Sequence, residues 1–299
     1  MTSDPIVVTS RSVTRLVRAH ELLRTVRRMP LASLAVLMVF IICAIIPDLL
    51  SPHDPLQNHL ADSRLPPSFM GGGDQRYLLG TDLLGRDILS RTIRGAQVSL
   101  GLGFVTITIA AVVGTLIGMV AGLHGGWVDA VTMRIVDGFL AIPLILIALV
   151  FSVTVGPGFW TVVIVISLFL WARYARQVRG EVLSIVERDY VALARVAGAS
   201  NWRLMSVHIL PNVMGTVVVL STLQVAYVII IEATLSFLGA GVPPPAPTWG
   251  GMVADGQLFL REAWWMSTVP GLALALVVLS VNLLGDWLRD ALDPTLRQL

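Results

Sequence analysis

The sequence has no lysine: all 21 of its basic residues are arginine. A Walker-type phosphate loop needs a lysine beside the phosphates, and Schiff-base chemistry needs an amine, so both are excluded. Cysteine is nearly as scarce. The lone Cys43 lies in an apolar run, which rules out an internal disulfide and a cysteine-based metal cluster. The five histidines are scattered and form no His-Glu-x-x-His pair. No metal ligands, no catalytic set and no cofactor site are expected. Charge is also short, at 13% of residues against about 25% in a soluble domain. With 55% hydrophobic residues, the chain has too little polar surface to cover its core in water. A soluble globule, a disordered chain and a disulfide-stapled module are excluded. An all-α polytopic membrane protein remains.

The apolar runs give its plan. A basic tail, residues 1–30, carries Arg11, Arg15, Arg18, Arg24, Arg27 and Arg28 and leads into a first membrane helix at 31–50. No small-residue cleavage site follows, so this reads as a retained helix and not a signal peptide. Residues 51–97 form a polar segment with balanced charge, expected outside. Five further helices are expected at 98–123, 135–155, 158–175, 213–240 and 264–286, each near or above the ~20 residues that cross a bilayer. They make up a domain over 98–289, with an inside loop at 176–212 and a tail at 290–299. Six spans with both termini in the cytoplasm put most arginines inside: the tail six, Arg134, the six from Arg173 to Arg203, Arg289 and Arg297. Arg64, Arg76, Arg86, Arg91, Arg94 and Arg261 fall outside, as the positive-inside bias requires. The excess of positive charge therefore reads as topology and implies no nucleic-acid partner.

Several features carry possible function. Ala110, Gly114, Gly118 and Gly122 recur every four residues, a stripe that lets a second helix approach closely in lipid. In the inside loop, Asp189 starts a short helix, Gly198-Ala199-Ser200 breaks it, and Ser200 or Asn201 caps the next helix, which Pro211 is expected to end. From the pattern alone this is either a knob for a partner's groove or a plain amphipathic loop. Gln224 and Glu232 lie two turns apart in the fifth span. A carboxylate there avoids lipid; it is either a wall of a translocation path or a hydrogen-bonded packing residue, and packing is favoured. Arg134 and Asp137 are placed for an i,i+3 ion pair. Pro143 and Pro270 are expected to kink their spans, and Trp249, Trp264 and Trp265 fit an outer aromatic belt.

Ordered motifs then identify a family. Tyr190-Val191-Ala192-Leu193-Ala194-Arg195-Val196-Ala197-Gly198-Ala199-Ser200, followed by His208-Ile209-Leu210-Pro211-Asn212, resembles the cytoplasmic EAA loop of binding-protein-dependent ABC importer permeases. The family's spacing from Ala192 to Gly198 to Leu210-Pro211 is kept. Ala192 stands where the family has Glu, Leu193 where it has Ala, and His208 where it has Ile. Leu79-Gly80-Thr81-Asp82-Leu83-Leu84-Gly85-Arg86-Asp87-Ile88-Leu89-Ser90-Arg91 is similar to the block ahead of the second span in dipeptide/oligopeptide permease C subunits, as are the segments 243–250 and 282–294. Trp287 stands where a Gly is usual.

This resemblance implies a type I ABC importer permease fold for di- or oligopeptides in a bacterial inner membrane. It implies a homologous second permease, two ATPase subunits that bind ATP and Mg, and a periplasmic substrate-binding protein. Ala192, Ala194, Arg195, Gly198, Ala199, Ser200, Leu210 and Pro211 would couple the bundle to the ATPase. Import of glutathione or nickel chelates on the same architecture is the alternative within the family. A secondary carrier that uses Glu232 is the rival outside it.

Overall fold

The computed structural model describes residues 30–292. The tail arginines and residues 293–299, expected in the cytoplasm, lie outside the described residues. Every regular element among the described residues is helical, apart from one isolated bridge between Thr81 and Asp87. The chain opens with α1 (Leu31–Ile45) and the single turn α2 (Pro47–Leu50). After a folded segment come α3 (Ile88–His124), α4 (Gly126–Ala141), α5 (Leu144–Val155) and α6 (Phe159–Val186). A short helix, α7 (Asp189–Val196), precedes α8 (Asn201–Phe237). α9 (Trp249–Gly256) and α10 (Trp265–Leu292) complete the order.

Four of these, α3, α6, α8 and α10, are long and apolar enough to cross a membrane, and the bent pair α4 and α5 can count as a fifth span. α1 is apolar but only 15 residues long. The bend between α4 and α5 is 81°. Proline lacks the N–H that would continue the ladder, and it forces the residue before it into an extended conformation; Ile142 adopts ψ 132°. The third span, expected as one kinked helix at 135–155, is therefore two helices.

α3 and α6 make the closest pairing in the bundle. A Cβ on Gly114 would come 2.4 Å from the Trp171 carbonyl oxygen and 2.5 Å from the Tyr174 Cβ; on Gly118, 2.6 Å from the Ala175 oxygen; on Gly122, 2.8 Å from the Val182 Cβ. Helices in lipid associate by such contact rather than by hydrophobic drive. The core behind this seam contains Leu102, Ile107, Met119, Ile166, Leu170, Val178 and Val182.

Both partners of the seam run past their expected ends. α3 starts at Ile88, ten residues early, because the Asp87 side chain accepts from the Ser90 N–H (2.9 Å) and caps it. α6 runs eleven residues past the expected end at 175, so only residues 187–200 lie between the long helices at that end. There Arg179 bridges to Asp129 of α4 through its Nε (2.8 Å), and Arg176 bonds Asp137. Asp137 therefore pairs across helices and not with Arg134, as was expected along one helix. α8 ends at Phe237, three residues short of the expected 240. α10 starts at Trp265 and extends to Leu292 with Pro270 inside it.

Candidate functional site

The two ends of the bundle are built differently. One end carries the segment before α3 together with α9, a cap. The other carries α7 and the start of α8, a loop.

At the loop end, Val191 is fully buried and anchors α7 to the core beside Leu204 and Ile209. Ala194 and Ala199 pack partly against the same cluster. Gly198 then turns the chain with φ +83°. Its N–H bonds the Arg195 carbonyl at 3.0 Å, and the Ala199 N–H bonds the Ala194 carbonyl at 3.0 Å. This six-to-one closure is a Schellman-type C-cap, in which glycine escapes the Cβ penalty of the left-handed region. Ser200 caps the next helix by accepting from the Arg203 N–H at 3.3 Å.

With its base so fixed, the loop leaves apolar side chains in the open. Leu193 is 69% exposed, Val196 87% and Trp202 73%. Ala192, Arg195 and Gly198 are also exposed. The rim is braced by Asn201, whose side-chain amide lies 3.3 Å from His124 Nε2 at the end of α3.

Pro211 does not end the following helix. Residues Leu204–Ile209 form a π-helical turn, and the Leu210 N–H bonds back to the Met205 carbonyl. The wider turn gives the proline ring room against the preceding carbonyls, so α8 runs through it. Leu210 is half-buried and Pro211 exposed on this turn.

At the cap end, the Leu79-to-Arg91 block forms a charged knot. Asp82 accepts from the Leu84 N–H (2.8 Å), the Arg86 N–H (2.9 Å) and the Arg86 Nε (2.6 Å), and Arg91 Nε stands 3.4 Å away. Arg86 and Arg91 are both buried. With Asp255, Pro243, Thr248 and Met252 they line a cavity of about 220 Å³. Burial pushes the Asp255 carboxyl up from its ordinary range, against the opposing pull of Arg91 and Arg86. On the rim, the Arg76 side chain bonded to Asp74 holds that carboxyl below its ordinary range.

Trp249 and Trp265 tie this knot to the bundle. Trp249 Nε1 donates to the Thr92 carbonyl (3.0 Å) and Trp265 Nε1 to the Thr81 carbonyl (3.1 Å). Both are buried, and of the three residues expected in the belt only Trp264 is notably exposed. The expected aromatic belt is therefore mostly core, since each indole finds its hydrogen-bond partner inside the protein.

Glu232 is fully buried. It accepts from Ser236 Oγ (2.7 Å) and Ser99 Oγ (3.4 Å), and Ser99 Oγ in turn accepts from the Trp249 N–H (3.4 Å). The carboxyl thus joins α3, α8 and α9 in a closed cluster. Gln224, also buried, lies two turns away on the same helix. Both side chains are enclosed by described residues of this chain.

The residue missed by reading the sequence is Arg173. Its place near the end of an apolar run groups it with the loop arginines. In the fold, its guanidinium lies 4.3 Å from the ring centroid of Tyr227, ten residues before the end of α8. The available signal was an arginine two residues inside the expected span.

Comparison with known proteins matches residues 114–298 to the family described as "Binding-protein-dependent transport system inner membrane component". The chain belongs to this family. Residues 26–67 also match the N-terminal membrane domain of oligopeptide transport permease C. The di/tripeptide transport system permease protein DppC of Pseudomonas aeruginosa (strain UCBPP-PA14) is 41% identical over 267 residues, 89% of this chain and 88% of that protein. The dipeptide transport system permease protein DppC of Escherichia coli (strain K12) is 40% identical over 266 residues, 89% of each chain. Among solved structures, an inward-facing form of the MetNI methionine ABC transporter aligns with a TM-score of 0.56 at 21% identity, over 69% of this chain and 98% of that one. The permease fold of ABC importers is thus common to both. As a member of this family the chain is a multi-pass inner-membrane transport component.

Proposed function

We propose that this chain is the C-type permease subunit of an ATP-driven importer of di- and oligopeptides, and that α7 is the surface on which an ATPase subunit docks. The carrying observation is a short helix fixed at its base by Val191 and by the Gly198 turn, yet presenting Leu193 and Val196 uncovered beside the exposed Trp202 of α8. Exposed apolar side chains on a rigid base are what a helix-in-groove contact uses. Rigidity is required for the role, because a loose loop would absorb the ATPase's motion instead of passing it on. With Ala192 in place of an acid, the contact rests on apolar packing rather than on an ion pair.

The relatives' names support the peptide cargo. The full assembly then holds a second, homologous permease, two ATPase subunits that supply ATP and Mg, and a periplasmic substrate-binding protein. Six crossings, with α1 as the first and α4–α5 as a broken third, place the loop end and both termini in the cytoplasm. Fifteen of the 21 arginines then lie inside, in keeping with the positive-inside bias. The carrier reading loses its ground, because the Glu232 carboxyl is sealed among Ser99, Ser236 and the start of α9 and has no open route for a coupling ion.

The test is purification of the tagged chain from mild detergent with its partners. Wild type is expected to bring down a second permease and a Walker-containing ATPase, and Gly198→Trp to lose the ATPase while keeping the permease. A chain that purifies alone and moves peptide in liposomes would overturn the proposal.

A further inference from the structure

Arg173 sits on the exposed side of α6, with its guanidinium over Tyr227 of α8. Tyr227 is ten residues from Phe237 and fourteen from Val213, which puts it ~15 Å and ~21 Å from the two ends of that apolar run at ~1.5 Å per residue. The cation is therefore deep in the apolar layer.

Register confirms the depth. The Tyr174 hydroxyl donates to Ser221 Oγ at 3.0 Å, and the neighbouring Arg173 reaches a further six residues along α8, toward the cap end.

Among the described residues no ion pair includes Arg173; those of α6 are Arg176–Asp137 and Arg179–Asp129. Facing lipid, it would cost at least ~2.5–3.5 kcal/mol on insertion scales.

Its surroundings on α6 are polar. Gln177, Gly180 and Ser184 continue the same face toward the loop end, at four, seven and eleven residues from Arg173, and all are exposed. Toward the cap end the same face carries Val162, Ile166 and Phe169, all buried. One face of a membrane helix is thus sealed and apolar above Arg173, open and polar below it. Such a face fits a wet vestibule with a cation at its closed end.

We infer that Arg173, backed by Tyr227, binds the α-carboxylate of the peptide as it crosses the membrane. This rests on the peptide-import reading above. Every unmodified peptide carries one terminal carboxylate whatever its side chains, so a single guanidinium can serve a mixed cargo through paired N–H···O bonds. The aromatic face beneath holds the cation in place. Its negative face also offsets part of the charge, so that the peptide is held loosely enough to leave, as conduction requires.

The test uses the complete importer. With Arg173→Gln, assembly and ATP hydrolysis stimulated by the loaded binding protein are expected to stay near wild type. Uptake of labelled Ala-Ala should fall about tenfold or more, the size of a lost charge-assisted hydrogen bond. Arg173→Lys should retain part of the uptake. Unchanged uptake in Arg173→Gln would overturn the inference. Loss of the second permease from the complex would also overturn it, since Arg173 would then be a subunit-pairing residue.

A second measurement does not depend on the cargo. In a Cys43→Ala background, Gln177→Cys in inside-out vesicles should react several-fold faster with an anionic than with a cationic methanethiosulfonate. Arg173→Gln should abolish the preference. A thiol that fails to react faces lipid, which would overturn the vestibule. A wild-type importer that moves no Ala-Ala but keeps the reagent preference would defeat the peptide reading and the carboxylate assignment with it.

Discussion

The cap end and the loop end of this permease handle their side chains in opposite ways. The cap closes on itself: Asp82 takes three donors, two tryptophans are buried with their N–H groups satisfied, and glycines sit where no Cβ fits. The loop buries only an anchor and leaves its apolar side chains uncovered, and a Cβ on its turning glycine, Gly198, would meet nothing within 4 Å. Tight glycines mark where the chain packs on itself. Gly198 turns the chain outside such packing, beside the exposed Leu193, Val196 and Trp202.

Substitutions can break that contrast. The largest effect is expected at the cap. A Cβ at Gly85 would lie 1.8 Å from the His59 carbonyl oxygen, at φ +73°. Gly85→Val combines a backbone clash with a strained conformation and should cost about 3 kcal/mol or more, read as loss of folded protein in a detergent melt. Trp249→Ala should follow closely, at ~3–5 kcal/mol for a fully buried indole, and the melt should fall by a similar amount. A melt unchanged by either would show that the cap is not the closed unit described.

At the loop the sign of the comparison reverses. Gly198→Ala meets no neighbour and pays only the left-handed backbone penalty, ~1–2 kcal/mol. It should barely shift the melt, while ATP hydrolysis per peptide moved rises. The smallest effect is expected at the exposed Arg176–Asp137 pair. Asp137→Asn should change stability by less than ~1 kcal/mol and leave uptake intact; a larger loss would mean that the partner assembly buries this pair.

Much of this was legible in the chain, for identifiable reasons. The Gly198 turn, the Ser200 cap and the Gly114 stripe were readable because each depends on local geometry that only certain residues permit. Helix ends were less legible. α6 continues to Val186 because Arg176 and Arg179 find Asp137 and Asp129 on α4, and a polar stretch read without those partners looks like a loop. Pro211 looked like a stop because a π turn leaves no trace in composition. Trp249 looked like a belt residue because a tryptophan near a span end gives no sign of whether its N–H meets water or, as here, the Thr92 carbonyl. The depth of Arg173 emerged only with its ring partner, fifty-four positions away in the sequence.

The most direct test of the docking surface compares the two ends in a single experiment. In a Cys43→Ala background of the intact importer, a cysteine is placed at Val196 or, as the cap-end control, at exposed Leu78, and treated with a short bismaleimide. Val196→Cys should cross-link to the ATPase subunit and Leu78→Cys should not. An intact complex in which Val196→Cys gives no ATPase product, or in which Leu78→Cys does, would contradict the assignment of α7 as the docking helix.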